Sequence, residues 1–262
     1  MGAVGGVALA LIAAGPAAAE LLPPPSDLTG REIARRAEDV IRGTTYYLEA
    51  TMTVVSPRLP APRAVSFRAW DDREGKRSFI RILAPAKDRG TGFLKLHPNL
   101  WMYVPRVERT MRIPPSMMLQ SWMGSDLTND DLVRESSQLD DYDHRLLGID
   151  TAPDDDGRRA YVVEYVPHED APVVWGKIVT WIETEHATPL RQDFYDESGE
   201  RLRTMRFEDI RPVGTRWFPF RWTMRPLDKP GHETRIEVTA VRFNETIAPD
   251  VFTTRNLKRP IE

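Results

Sequence analysis

The chain contains no cysteine. That excludes disulfides, thiolate metal sites, a cysteine nucleophile and a lipid-modified N-terminal cysteine. It also has no excess of either charge: 36 Lys and Arg stand against 39 Asp and Glu, for a formal net charge of -3. Without a basic surplus, nucleic acid is excluded as a partner. Catalytic signatures are missing too, with no G-x-S-x-G elbow, no H-E-x-x-H and no phosphate-cradling glycine loop. Ser125 in Gly124-Ser125-Asp126 has no flanking elbow, and His97, His144, His168, His186 and His232 stand singly, without ligand spacing. Asp154-Asp155-Asp156-Gly157 reads as an exposed turn, because the bidentate acid of a calcium loop is absent. The expectation is a protein that is not an enzyme and needs neither cofactor nor metal.

Long apolar runs are confined to the first residues. Ala3 to Ala14 is continuously apolar, Gly15-Pro16 breaks it, and Ala17-Ala18-Ala19 offers the small residues that a signal peptidase reads. This predicts a signal peptide over residues 1–19, even though no Lys or Arg precedes the run. It is short against the about 20 apolar residues of a membrane span. The mature chain, from Glu20, is expected in the periplasm.

What is present reads as strands with a helix at each interruption. Thr29-Gly30-Arg31-Glu32 fits a capping box, Ile33, Ala37, Val40 and Ile41 share one helical face, and Gly43 sits where that helix should stop. From Thr44 the period becomes two: Leu48, Ala50, Met52 and Val54 share a face, as do Val65, Phe67 and Ala69. Phe79 to Leu83 and Phe93 to Leu96 continue the strands. Leu100-Trp101-Met102-Tyr103-Val104-Pro105 then turns through Arg106 to Arg109 and returns as Thr110-Met111-Arg112-Ile113. Pro114-Pro115 ends the rhythm. Met117, Met118, Trp122 and Met123 suit a short helix, and Thr128-Asn129-Asp130-Asp131 opens another. Seven further strand-like runs follow between Tyr142 and Phe243, and Pro249 to Thr254 suits a last single turn. No linker divides residues 20–262, which predicts a single domain. A long antiparallel sheet must bury one face, and the helices are the available cover. The fold class expected is mainly β (α+β): a half-open antiparallel β-barrel with helices covering the concave apolar face.

Certain of these residues resemble a known family, the outer membrane lipoprotein-sorting proteins. The resemblance rests on Leu100 to Pro105 with its Arg-bearing turn, on Gln120-Ser121-Trp122-Met123-Gly124-Ser125-Asp126, and on Asn129-Asp130-Asp131-Leu132. Asp88-Arg89-Gly90-Thr91-Gly92-Phe93 and Pro249-Asp250-Val251-Phe252 fit the same pattern. The resemblance implies a half-open barrel closed by helices. It also implies a periplasmic carrier whose cargo is the acyl chain of a lipoprotein or another lipid-like hydrophobic ligand. The chain is longer than the family's best-known member, and its central motif is that of a branch found with exporters of hydrophobic molecules.

Thioethers and indoles give large, adaptable apolar surface. Trp101, Tyr103, Met117, Met118, Trp122 and Met123 are therefore the residues expected to touch cargo or form its lid, although Met and aromatic residues at such spacing also serve as plain core. Arg106, Arg109 and Arg112 are placed on the wet side of the hairpin. They form either an ordinary solvated face or a docking surface for lipid head groups or an inner-membrane exporter. Against the carrier stand two alternatives: an accessory or scaffold domain docked on such an exporter, and a hydrolase with an unrecognised site.

Overall fold

The computed structural model describes residues 21–134, 138–151, 157–171 and 173–260. The expected signal peptide and the Asp154–Asp156 turn lie outside the described residues. Helix α1 (Gly30–Arg42) begins as its sequence predicts: the Thr29 side chain accepts a hydrogen bond from the Glu32 amide, and Gly43, at φ 61°, ends the helix. Strands β1 (Thr45–Val55), β2 (Arg63–Asp72), β3 (Arg77–Ala84), β4 (Gly92–Leu96), β5 (Asn99–Val104) and β6 (Arg109–Arg112) follow. After an excursion that contains α2 (Asn129–Arg134) come β7 (Tyr142–Asp150), β8 (Ala160–Pro167), β9 (Lys177–Glu183), β10 (Pro189–Tyr195) and β11 (Arg201–Val213). Strands β12 (Arg216–Pro226) and β13 (Glu233–Phe243), a 3-10 turn at Pro249–Phe252 and the short α3 (Thr254–Leu257) complete the chain.

All thirteen strands join one sheet in the order β6-β5-β4-β3-β2-β1-β13-β12-β11-β10-β9-β8-β7. The closing pair, β1 with β13, is antiparallel, as are the two meanders on either side. Both edge strands are thus consecutive in the chain. The connection from β6 to β7 has to run from one edge of the curl to the other.

Alternation decides which side chains meet. On β1 and β2, Leu48, Ala50, Met52, Val54, Val65, Phe67 and Ala69 are all buried, and they share the main core with Ile80, Ile82 and Phe93. The opposite parity forms a smaller cluster on the convex face, where Phe79 and Leu94 pack against Phe252 and Leu257 of the C-terminal turns. Arg81 fixes that segment by donating to the carbonyls of Gly90 and Leu257 at 2.9 and 3.0 Å.

Two covers close the concave face. Helix α1 lays Ile33, Ala34 and Ala37 into the core, and buried Arg42 at its end pairs with equally buried Asp71 of β2 at 2.5 Å. The β6–β7 connection forms the second. Here the expected helix over Met117–Met123 does not form. Pro115–Met117 and Trp122–Gly124 are separate 3-10 turns, and Met123, at φ 50° and ψ 27°, has non-helical backbone angles within the second. The Trp122 amide donates to the Leu127 carbonyl at 2.7 Å and the Asn129 amide to Gln120 at 3.0 Å, so the segment satisfies its backbone as a compact loop instead. The second expected helix is present as α2, opened by a reciprocal pair: the Thr128 amide donates to Asp131 Oδ2 at 2.8 Å, and the Asp131 amide to Thr128 Oγ1 at 3.2 Å.

The seat of α1 is tight. A Cβ on Gly30 would stand 2.8 Å from the His144 carbonyl oxygen and the Leu146 amide nitrogen of β7. Gly30→Ala should therefore destabilise by about 1–3 kcal/mol through overpacking, although alanine is the better helix former. Urea denaturation of the variant reads this directly. A neutral or stabilising result would show that α1 can lift from β7 freely.

Candidate functional site

Beneath the covers lies a cavity of about 220 Å³. Its floor is the concave sheet: Leu48, Phe67, Ala69 and Ile80 on one side, and Ile178, Phe194, Met205, Phe207, Trp222 and Met224 on the other. Its roof is Ala34, Ala37 and Ile41 of α1 together with Trp122, Leu127, Asp131, Leu132 and Leu139 of the β6–β7 connection. The lining is mostly apolar, with a few polar groups such as Thr180, Gln192 and Arg203 among it. This is the usual make-up of a ligand pocket, though the volume falls below the roughly 300–1,000 Å³ of sites that enclose drug-sized ligands.

The roof is stitched to the sheet at intervals by one aromatic anchor and then by polar ties. Trp122 comes first, 2% exposed, with its ring edge-on to Phe67 at 5.8 Å and Phe93 at 5.7 Å. Arg63 of β2 donates to the Met123 carbonyl. At β13, the Thr234 hydroxyl donates to Asp126 Oδ2 at 2.7 Å, and the Asp126 amide donates back at 2.9 Å. At β11, Arg203 holds Asp131 through both carboxylate oxygens, at 2.5 and 2.9 Å. Arg203 is 5% exposed and lies against the adjoining rings of Trp175 and Phe194, at 4.3 and 4.4 Å from their centroids. These ties lie in order from β4 and β2 to β13 and β11, which traces the connection across the mouth.

Of the residues expected from sequence, the structure brings only Trp122 to the cavity wall. Met117, Met118 and Met123 are partly buried and pack against the main core beside it. Trp101 and Tyr103 go elsewhere. Met102 takes the concave parity of β5, so its two neighbours face the convex cluster of Phe79, Leu94, Phe252 and Leu257. The arginines do not share one wet face either. The register sets Arg109 opposite Val104 and Arg112 opposite Trp101, so those two point to opposite sides of the sheet, while Arg106 lies in the turn. All three are exposed.

Arg203, Trp175 and Phe194 were not foreseen. Arg203 alternates with Met205 and Phe207, but Arg201 and Asp209 share the same parity, so the pattern does not single it out.

Electrostatics on β7 and β8, beneath α1, follow from burial. Burial holds the Tyr165 phenol above its ordinary range. His144, whose ring lies 4.5 Å from that of Tyr165, is pushed from 6.5 down to about 4 by burial and by the Arg31 charge. Among the described residues, no group of three or more His, Asp or Glu converges on one point, and no helix is long and apolar enough to cross a membrane.

Three solved structures share this architecture. A DUF1329 family protein from Desulfovibrio piger is 24% identical, with a TM-score of 0.77 over 87% of this chain and 97% of its own. A putative outer membrane lipoprotein-sorting protein domain from Vibrio parahaemolyticus is 23% identical, with a TM-score of 0.75 over 88% and 98%. A LolA superfamily protein from Nitrosomonas europaea is 21% identical, with a TM-score of 0.73 over 87% and 99%. No curated protein matches the chain in sequence. The fold is thus the curled, open half-barrel of LolA-superfamily lipoprotein-sorting proteins, as the motifs of the central segment imply. A family model described as "Uncharacterized protein"-like matches residues 74–259, and the chain belongs to that family.

The His144 shift has a consequence for pH. In the unfolded chain the imidazole protonates near 6.5; in the fold it resists protonation until about 4. As pH falls through that window, the unfolded state takes up a proton that the folded state refuses, so stability is lost. His144→Gln should remove this component. Urea titrations at several pH values should show the stability difference moving in the variant's favour between 6.5 and 4. A difference that stays constant with pH would contradict the assignment.

Proposed function

We propose that the protein is a periplasmic carrier or chaperone for a lipoprotein acyl chain or another hydrophobic cargo, and that it works by binding rather than by catalysis. The observation that carries the reading is the roofed cavity: an apolar floor under a connection held by a handful of polar ties. Cargo gains about 0.8 kcal/mol for each methylene it buries. A long acyl chain therefore gains more than a shuttle can keep if it is to deliver. The roof supplies the opposing free energy, since its own contacts with Phe67 and Phe93 must be given up when cargo enters. The cavity of about 220 Å³ takes a short apolar segment, and movement of the roof makes room for a longer chain.

The reading takes residues 1–19 as a cleaved signal peptide and residues 20–262 as one carrier-like domain. Trp122 then belongs to the lid wall, with Met117, Met118 and Met123 as the adaptable packing behind it. A second reading, an accessory domain docked on an inner-membrane exporter, is favoured by Arg106, Arg109 and Arg112, which are exposed at one edge of the sheet.

Native mass spectrometry of the protein purified from a periplasm, followed by lipid extraction, separates the two. The carrier is expected to release a stoichiometric lipid or lipopeptide. Protein that is empty in every preparation, yet binds membranes holding the exporter in a manner lost on substituting those arginines, would replace the carrier with the docking domain.

A further inference from the structure

The cavity roof is latched by a charge pair whose cation belongs to the floor. Arg203 is almost wholly buried, lines the cavity, and spends two of its nitrogens on Asp131 of α2. Its Nε is buried with no hydrogen-bond partner among the described residues, and so is the indole Nε1 of Trp122 in the roof. Buried donors normally find acceptors, and an orphan of this kind costs free energy. The orphan donor on the Arg203 fork, inside a mostly apolar cavity, calls for an acceptor that the protein does not itself supply.

We propose that the ligand is an amphiphile with an anionic head group, a carboxylate or a phosphate monoester, and that this anion takes the place of Asp131 on Arg203. This deepens the carrier reading and rests on it. The physical reason is the cost of an unpaired buried charge. A neutral apolar guest that lifts α2 would strip Arg203 of its carboxylate and leave a buried cation against the rings of Trp175 and Phe194 without its partner. An anionic guest replaces carboxylate with anion, so Arg203 stays paired throughout. A planar guanidinium fork accepts either oxyanion in bidentate fashion. Asp131 is not abandoned either. Its Oδ2 keeps the Thr128 amide at 2.8 Å and the Thr128 hydroxyl at 3.0 Å, and its other oxygen turns to water as the helix lifts. Head-group capture and roof opening thus become one exchange reaction, with Arg203 as the head-group site and the apolar floor from Phe194 to Phe67 as the place for the tail.

The test is isothermal titration of the full chain with three probes of equal tail length: dodecanoate, dodecyl phosphate and dodecanol. The two anions should bind about 10- to 100-fold more tightly than the alcohol, the range of charged hydrogen bonds. The tighter of the two identifies the head group. Asp131→Asn, which removes the latch that either guest must displace, should tighten dodecanoate and dodecanol alike, by about 10-fold. The double variant Arg203→Met with Asp131→Asn leaves no lone buried charge, and it should bind all three probes alike while still melting cooperatively. Equal binding of anions and alcohol by the wild-type chain, or a preference that survives in the double variant, overturns the head-group assignment alone. Failure of every probe to bind overturns the carrier reading together with it.

Discussion

One topological constraint governs this protein: the strands at the two edges of its sheet, β6 and β7, are consecutive in the chain. Whatever joins them must cross the mouth of the curl. Because the concave face is apolar, the crossing is also the means of burying it, and the connection becomes a roof by necessity. A roof made this way differs from a packed layer. It is anchored covalently at both ends, and in between it depends on contacts that can be exchanged one at a time.

Those contacts are of two kinds. Trp122 is an apolar anchor at the first edge, clamped between Phe67 and Phe93. Beyond it the ties are polar: Arg63 to a carbonyl, Asp126 with Thr234, Asp131 with Arg203. A polar tie in a dry site is rigid while complete and costly when half made. A guest that can complete it in another way therefore has an advantage over one that cannot. Helix α1 provides a firmer second cover, seated by the close approach of Gly30 to β7 and by the buried pair of Arg42 with Asp71.

Much of this architecture can be read in the chain. The alternation of Leu48, Ala50, Met52 and Val54 gave the buried face of β1, and the capping residues Thr29 and Gly43 bounded α1. The faces of β5 could not be read, because Trp101, Met102, Tyr103 and Val104 are all apolar or aromatic, and period two carries no information when both parities look alike. Only the registry with β4 and the C-terminal turns shows that Trp101 and Tyr103 look outward. Helical periodicity misled at Met117–Met123 because tertiary hydrogen bonds to Leu127 and Gln120 outweighed local propensity. The head-group residue was hidden for a different reason. Arg201-Leu202-Arg203-Thr204-Met205-Arg206 looks like a solvated strand face, and only three-dimensional placement separates the buried arginine from its exposed neighbour Arg201.

A carrier of this kind needs a roof that opens over a floor that stays folded, and amide hydrogen exchange measures both. Residues 122–134 should exchange through local opening, well ahead of the β1 and β2 amides beneath them, and saturating amounts of a bound alkyl amphiphile should alter exchange in that segment first. If those residues exchange only at the rate of global unfolding, in step with β1 and β2, the roof is fixed core and the protein cannot carry cargo in this way.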